Sequence, residues 1–292
     1  MQELLELAGG SVTGREHLRL GKNNQDAYYG VCSKGYAVAV VCDGCGSGES
    51  SEVGAKVGVK LVASAIAKAL SAPHHRVKTE GELNAIAWPT AEFWEQVQQD
   101  VLTQLQLLAT AMGGNFCQII LDYFLFTVVG ALVTPRGATV FSLGDGVFMI
   151  NGEVKQLGPF PGNAPPYLAY RLLSRKDGCS FPENEQCRFQ IHCQLPFEQF
   201  QSILIGTDGV LDLIKAGHQW MPGKQESVGS INQFWEEHRY FKNPDSIRRQ
   251  LFLVNRSSQK MDWENQQILK EVGLLPDDTT LMVIRKKQES IR

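Results

Sequence analysis

Apolar positions along the chain gather into short runs and helical stripes, and several of the runs end in aspartate. Tyr36-Ala37-Val38-Ala39-Val40-Val41 is a continuous apolar run, the pattern of a buried strand, and it leads into Cys42-Asp43-Gly44-Cys45-Gly46-Ser47-Gly48. Ser50-Ser51-Glu52 then predicts a helix start, because a capping hydroxyl precedes an acidic residue that suits the dipole. Val53, Val57, Leu61 and Ala65 recur at helical spacing behind it, through Leu70. Residues 71–89, with Pro73, His74, His75, Gly81 and Pro89, read as an irregular connection. Phe93, Val97, Val101, Leu105 and Leu108 predict a second long amphipathic helix over 90–112, stopped by Gly113-Gly114.

The second half reads mainly as strands. From Asp122 to Leu157, β-rich runs alternate with Pro135-Arg136-Gly137, Asp145-Gly146 and Asn151-Gly152, the signature of an antiparallel meander whose clearest hairpin turn is Asn151-Gly152. Pro159, Pro161, Pro165 and Pro166 open a loop-rich insertion or flap over about 158–185. Arg188 to Leu195 alternates and resumes the sheet, 244–255 reads as a helix, and Thr280 to Ile284 is the last strand. Strands and helices mix without strict β-α-β alternation. The expected fold class is therefore α+β: two mainly antiparallel sheets packed together with the long helices on their outer faces, a four-layer α-β-β-α sandwich in one domain over 1–292.

Composition narrows the functions. The 292 residues are 43% hydrophobic, enough for a sizeable core in one large domain. A net charge of −3, with no basic cluster interleaved with aromatics, argues against nucleic acid as a partner. The longest apolar window, Tyr123 to Val133, falls short of the roughly 20 residues that span a bilayer, so no membrane insertion is expected. Acidic residues near the N-terminus, where a signal peptide would be basic, point to a cytoplasmic location. Seven scattered cysteines imply no disulfide framework. Cys42 and Cys45 form a C-x-x-C without a second pair to complete a zinc site, and the six histidines suggest no site.

The aspartates carry the chemistry. Asp43-Gly44, Asp145-Gly146 and Asp208-Gly209 each follow a β-rich run, and Asp277-Asp278 precedes one. Asp-Gly is also a favoured turn dipeptide, and each pair taken alone reads as that. Strand-end carboxylates can, however, converge at one rim of a sandwich. Two carboxylates about 5 Å apart repel by roughly 3 kcal/mol at an effective dielectric near 20. A shared proton or a hard divalent cation would offset that, and several carboxylates together favour the cation.

Read in order, Asn23-Asn24-Gln25-Asp26-Ala27, Val41-Cys42-Asp43-Gly44-Cys45-Gly46-Ser47, Ser142-Leu143-Gly144-Asp145-Gly146, Gly206-Thr207-Asp208-Gly209-Val210 and Asp277-Asp278-Thr279-Thr280 resemble the motifs of the metal-dependent type 2C protein serine/threonine phosphatases. The match runs from about Gly10 to Ile284 and looks most like a divergent bacterial branch. The resemblance implies a β-sandwich with a two-metal Mn²⁺ or Mg²⁺ site at one end. On it, Asp43 would bridge the ions, Gly44 would offer its carbonyl, Asp208 and Asp277 would hold the other ion, and Asp145 with Asp208 would match a third, weaker position. Asp26 would orient water, and Asp278 would hydrogen-bond the site. The implied reaction is removal of phosphate from phosphoserine or phosphothreonine in a phosphoprotein, itself the target of a serine/threonine kinase, by in-line attack of a water between the ions.

Three positions depart from the pattern. Where many members place an Arg to hold the substrate phosphate, the nearest cation is Lys22, a point charge rather than a bidentate fork. Cys45 stands where many carry a His, and Gln25 where some carry a metal-binding Glu. The rival from another class is a catalytically weak or inactive phosphatase-fold scaffold, against which the retention of four aspartates argues. A nucleotide-binding loop at Gly44–Gly48 lacks both G-x-G-x-x-G spacing and the Gly-Lys-Ser/Thr of a P-loop.

Overall fold

The computed structural model describes residues 1–72, 76–79, 82–86, 88–173 and 186–287. In chain order they form β1 (Leu5–Val12), α1 (Arg15–Leu20), β2 (Asp26–Cys32), β3 (Ala37–Asp43), α2 (Ser51–Ser71), β4 (Arg76–Thr79), β5 (Glu82–Ile86), α3 (Ala91–Met112) and α4 (Phe116–Tyr123). Four strands follow: β6 (Val128–Thr134), β7 (Gly137–Leu143), β8 (Gly146–Ile150) and β9 (Glu153–Leu157). The remainder is β10 (Gln190–Pro196), β11 (Ser202–Gly206), α5 (Gly209–Lys215), α6 (Gln233–Glu236), α7 (Arg239–Lys242), α8 (Ser246–Asn255), β12 (Ser258–Asp262), β13 (Gln267–Glu271) and β14 (Thr279–Lys286).

Two five-stranded antiparallel sheets make the centre, one ordered β1-β14-β11-β8-β9 and the other β10-β7-β6-β3-β2. Side-chain alternation sorts the core into three layers. Val38, Val40 and Cys42 of β3 pack outward with α2 and α3, while Ala37, Ala39 and Val41 face the other sheet with Ile203, Ile205, Met282 and Ile284. Leu281 and Val283 of β14 turn outward instead, onto α5 and α8. Burial on both faces explains why these strands read as continuous apolar runs rather than as alternation. The α+β sandwich of two antiparallel sheets flanked by helices is thus observed.

Local details both follow and correct the sequence pattern. Thr90 caps α3 by accepting from Phe93 N at 3.3 Å, and Asn151-Gly152 turns β8 into β9 with both residues at positive φ. Ser50 precedes α2 but makes no side-chain cap. The expected meander over 122–157 is two hairpins in two different sheets: β6 pairs β7 in one, β8 pairs β9 in the other, and the chain crosses between them at Gly144-Asp145. Residues 71–89 are not irregular throughout, since β4 pairs with β5. The short α4 and the β12–β13 hairpin have no counterpart in the sequence reading. Of the expected flap, residues 158–173 pack Tyr167, Leu168 and Ala169 into the core beside α3, with Arg171 bonded to Glu95 at 2.8 Å; residues 174–185 lie outside the described residues. No described helix is long and apolar enough to cross a membrane.

Candidate active site

Strand register brings the aspartates to one rim. Asp43 closes β3 and stands directly opposite Asp26, the first residue of β2. Asp145 sits at the crossing into β8, where Val147 pairs with Gly206. Asp208 follows β11 by two residues, and Asp277 precedes β14, the strand next to β11. A cavity of about 510 Å³ opens there, and its walls include Asp43, Gly44, Asp145, Asp208 and Asp277. Every residue expected to hold metal therefore reaches the same space. Lys22 does not: it is exposed and is not among the described residues that line the cavity.

The first Asp-Gly is held by the backbone. Asp43 O accepts from Thr127 N at 2.8 Å, Cys45 N donates to Leu125 O at 2.9 Å, and Gly44 N donates to Gln25 O at 3.1 Å. These bonds leave the Gly44 carbonyl outside the ladder. A side chain at Gly44 would press its Cβ to 2.7 Å from Ser51 O, so the start of α2 can lie this close only against glycine.

Asp26 lies beneath the cavity and is buried. Its Oδ2 accepts from Thr207 Oγ1 at 2.7 Å, and that hydroxyl accepts from Thr280 N at 3.1 Å. The threonine between Asp208's strand and β14 is thereby oriented, and Asp26 is fixed from one side only. Among the described residues its Oδ1 and the Oδ1 of Asp208 are buried without a hydrogen-bond partner. Buried carboxylate oxygens without donors are costly unless something positive meets them.

Burial and crowding act together on the carboxyls. Desolvation first, then Asp26, Asp208, Asp277 and Asp145, pushes Asp43 well above the usual carboxylate range. Asp26 is raised well above it by desolvation and by Asp278. Asp208 is pushed up to about 6 by desolvation, Asp277 and Asp145. Asp145 and Asp277 shift the same way, desolvation leading in both. A cation in the cavity would reverse this logic by favouring the charged forms. The expected donors are oxygens, which suit hard divalent ions, and His17 adds a nitrogen within 4.8 Å of Asp277 and Asp278 oxygens.

Asp278, expected to hydrogen-bond the site, lies behind the rim, and His17, outside the expected set, joins it. Asp278 is buried and does not line the cavity; its Oδ1 accepts from Gly14 N and its Oδ2 from Gln25 N, both at 2.6 Å. His17 Nδ1 of α1 lies 2.9 Å from the same Oδ2, and His17 lines the cavity. Gly14 is needed for this approach, since a Cβ there would sit 2.3 Å from the Asp277 carbonyl carbon. A lone histidine carried no pattern in the sequence. Its one signal was position, between the two residues whose amides hold Asp278. The described half of the flap supplies the facing wall: Ala164, Pro165, Tyr167 and Tyr170. Beside them, Cys45 Sγ lies 3.1 Å from Ser47 Oγ.

Residues 13–236 match the family described as protein phosphatase 2C. A crystal structure of a bacterial serine phosphatase carrying one substitution superposes with a TM-score of 0.51 at 16% identity, covering 97% of this chain and 99% of that one. Serine/threonine phosphatase Stp1 from Staphylococcus aureus superposes with a TM-score of 0.50, also at 16% identity, covering 97% and 96%. No curated protein matches the sequence.

Proposed function

Since the chain belongs to the protein phosphatase 2C family, we propose that it is a metal-dependent phosphomonoester hydrolase acting on phosphoserine and phosphothreonine in proteins. The observation that carries this reading is the convergence of four aspartates on one cavity, with a buried Asp208 oxygen left unpartnered at its wall. Asp43, Asp208 and Asp277, with the Gly44 carbonyl, would hold two divalent ions, Mn²⁺ or Mg²⁺, and Asp145 with Asp208 would offer a third place. When bound, such ions neutralise charge on phosphoryl oxygens and make a water acidic enough to ionise near neutral pH.

The chain's own part is placement. Thr207 fixes the Asp26 carboxyl behind Asp43, where it can hold the proton and orientation of the attacking water. Thr127 and Gln25 hold the Asp43–Gly44 backbone from both sides, so the carboxylates need little reorganisation during reaction. Attack is in line and by water, with no covalent phosphoenzyme. The single domain takes a phosphorylated side chain of a protein substrate, a product of serine/threonine kinase action, into the rim cavity.

The test is hydrolysis of p-nitrophenyl phosphate and of a phosphoserine peptide with and without Mn²⁺, on wild type and Asp43→Asn. Turnover that needs Mn²⁺ and is lost in Asp43→Asn is expected. Wild type that binds Mn²⁺ but hydrolyses neither compound would leave the scaffold reading in its place.

A further inference from the structure

The cavity is rich in acid and poor in base. Among the described residues that wall it there is no lysine and no arginine, and His17 is the one basic side chain. We propose that His17, at the rim beside Asp278, grips the phosphoryl group of the substrate; the inference rests on the phosphatase reading above.

Charge balance creates the need. The four wall aspartates would balance two divalent ions in charge, so the pull of the ions on phosphoryl oxygens is not backed by net positive charge at the wall. A further donor at the wall would add to that pull. Several other polar side chains of the wall already have partners: Gln25 Nε2 donates to Ser51 Oγ at 3.0 Å, Thr127 Oγ1 accepts from Asp43 N at 3.3 Å, and Ser47 Oγ lies 3.1 Å from Cys45 Sγ. The neighbouring cations are engaged or absent from the wall. Arg15 donates to Gly273 O and lies against Glu16, Arg19 is paired with Glu16, and Lys22 is exposed outside the cavity.

The backbone that carries His17 is tied to the site. Arg15 N and Glu16 N donate to Leu275 O at 2.8 Å and Pro276 O at 3.0 Å, which stitches α1 to the segment leading into Asp277. Asp278, itself clamped by two amides, faces His17 Nδ1 at 2.9 Å. Nδ1 lies against Asp278 without a hydrogen bond of good geometry, so both ring nitrogens keep hydrogen-bonding capacity for a ligand. A ring placed at the cavity wall in this way can donate to a phosphoryl oxygen.

The experiment uses Mn²⁺-loaded full-length protein and inorganic phosphate as the probe, with binding measured by calorimetry. Mn²⁺ affinity is measured on the same samples, together with KM and kcat for a phosphoserine peptide. His17→Ala should weaken phosphate binding about tenfold, the scale of one charge-assisted hydrogen bond, and raise KM, with Mn²⁺ affinity kept. His17→Arg should restore most of the phosphate affinity, since a guanidinium donates to phosphate in the same way. Retained Mn²⁺ binding shows that each variant is folded. Unchanged phosphate affinity in His17→Ala would overturn the proposal, as would loss of Mn²⁺ together with phosphate, or a loss that follows Lys22→Ala instead. His17-dependent phosphate binding in a wild type without turnover would sink the hydrolase reading alone, whereas Mn²⁺-dependent turnover indifferent to His17→Ala would sink this inference alone.

Discussion

Replacing Asp278 with alanine should cost the protein more stability than removing any carboxylate that lines the cavity. Asp278 is 3% exposed and accepts from two backbone amides 264 and 253 residues away in sequence, Gly14 N and Gln25 N, both at 2.6 Å. It therefore ties the segment before β14 to the loops on either side of α1. Asp278→Ala leaves two buried N–H groups without acceptors, each worth about 1–3 kcal/mol, so the loss is on the order of 4 kcal/mol. At about 2–3 °C per kcal/mol for a chain of this size, the midpoint should fall by about 10 °C. Asp278→Asn keeps one acceptor oxygen and turns an amide NH₂ toward the other N–H, so its loss should be roughly half as large. The assay is thermal unfolding followed by circular dichroism, in metal-free buffer near neutral pH, so that ion binding adds nothing. A midpoint within about 2 °C of wild type for Asp278→Ala, or equal losses for the two variants, would refute the double clamp.

Two further outcomes follow from the carboxyl cluster and its neighbour. Asp208 is pushed up to about 6 and Asp43, Asp145 and Asp277 are raised as well, so the folded protein holds protons that the unfolded chain has released. Metal-free protein should accordingly lose stability as pH rises from the ordinary carboxylate range through about 6, while Mn²⁺ should raise the midpoint more at pH 7.5 than at pH 5, where protons compete for the same oxygens; Asp43→Asn should raise the metal-free midpoint at pH 7.5 and abolish the Mn²⁺ gain, and a metal-free midpoint that climbs with pH would contradict the assignment. Cys45→Ser keeps a hydrogen-bonding group beside Ser47 and should retain most Mn²⁺-dependent turnover, measured on p-nitrophenyl phosphate; loss of turnover with Mn²⁺ still bound would give the thiol a role in the reaction.

Much of the site could be read from local sequence because its residues stand at the ends of strands that are themselves legible. The run before Asp43 announces β3 since both faces of that strand are buried, and the run before Asp208 announces β11 for the same reason. Pairing is less visible. The alternation over 122–157 is the same whether β7 and β8 share a sheet or not, and the crossing at Asp145 is fixed by distant partners: Val128–Thr134 on one side and Gly206 on the other. His17 was invisible for a related reason. Its place at the rim depends on amide bonds to a carboxylate more than 250 residues away, and nothing in the short helix around it has a period or a motif that reports them.

The opposed pair Asp26 and Asp43 shows why the cluster calls for a cation. Like charges directly opposite across two strands are destabilising, and here Asp26 is buried and Asp43 half-buried. A shift of one residue in the β2–β3 register would separate them, but β3 cannot shift. Its alternation puts Val38, Val40 and Cys42 under the helices and Ala37, Ala39 and Val41 against the other sheet, and a slip of one would exchange the two sets in a core closed on both sides. The packing that makes the sandwich thus holds the two carboxylates together against their repulsion. Protons can relieve it only by removing the charge; divalent ions relieve it while keeping the carboxylates ionised. A purely structural rim would be better served by amides, which satisfy the same donors without the repulsion. If the rim holds a divalent ion, as proposed, Mn²⁺ should raise the midpoint by an amount set by its affinity for the folded site.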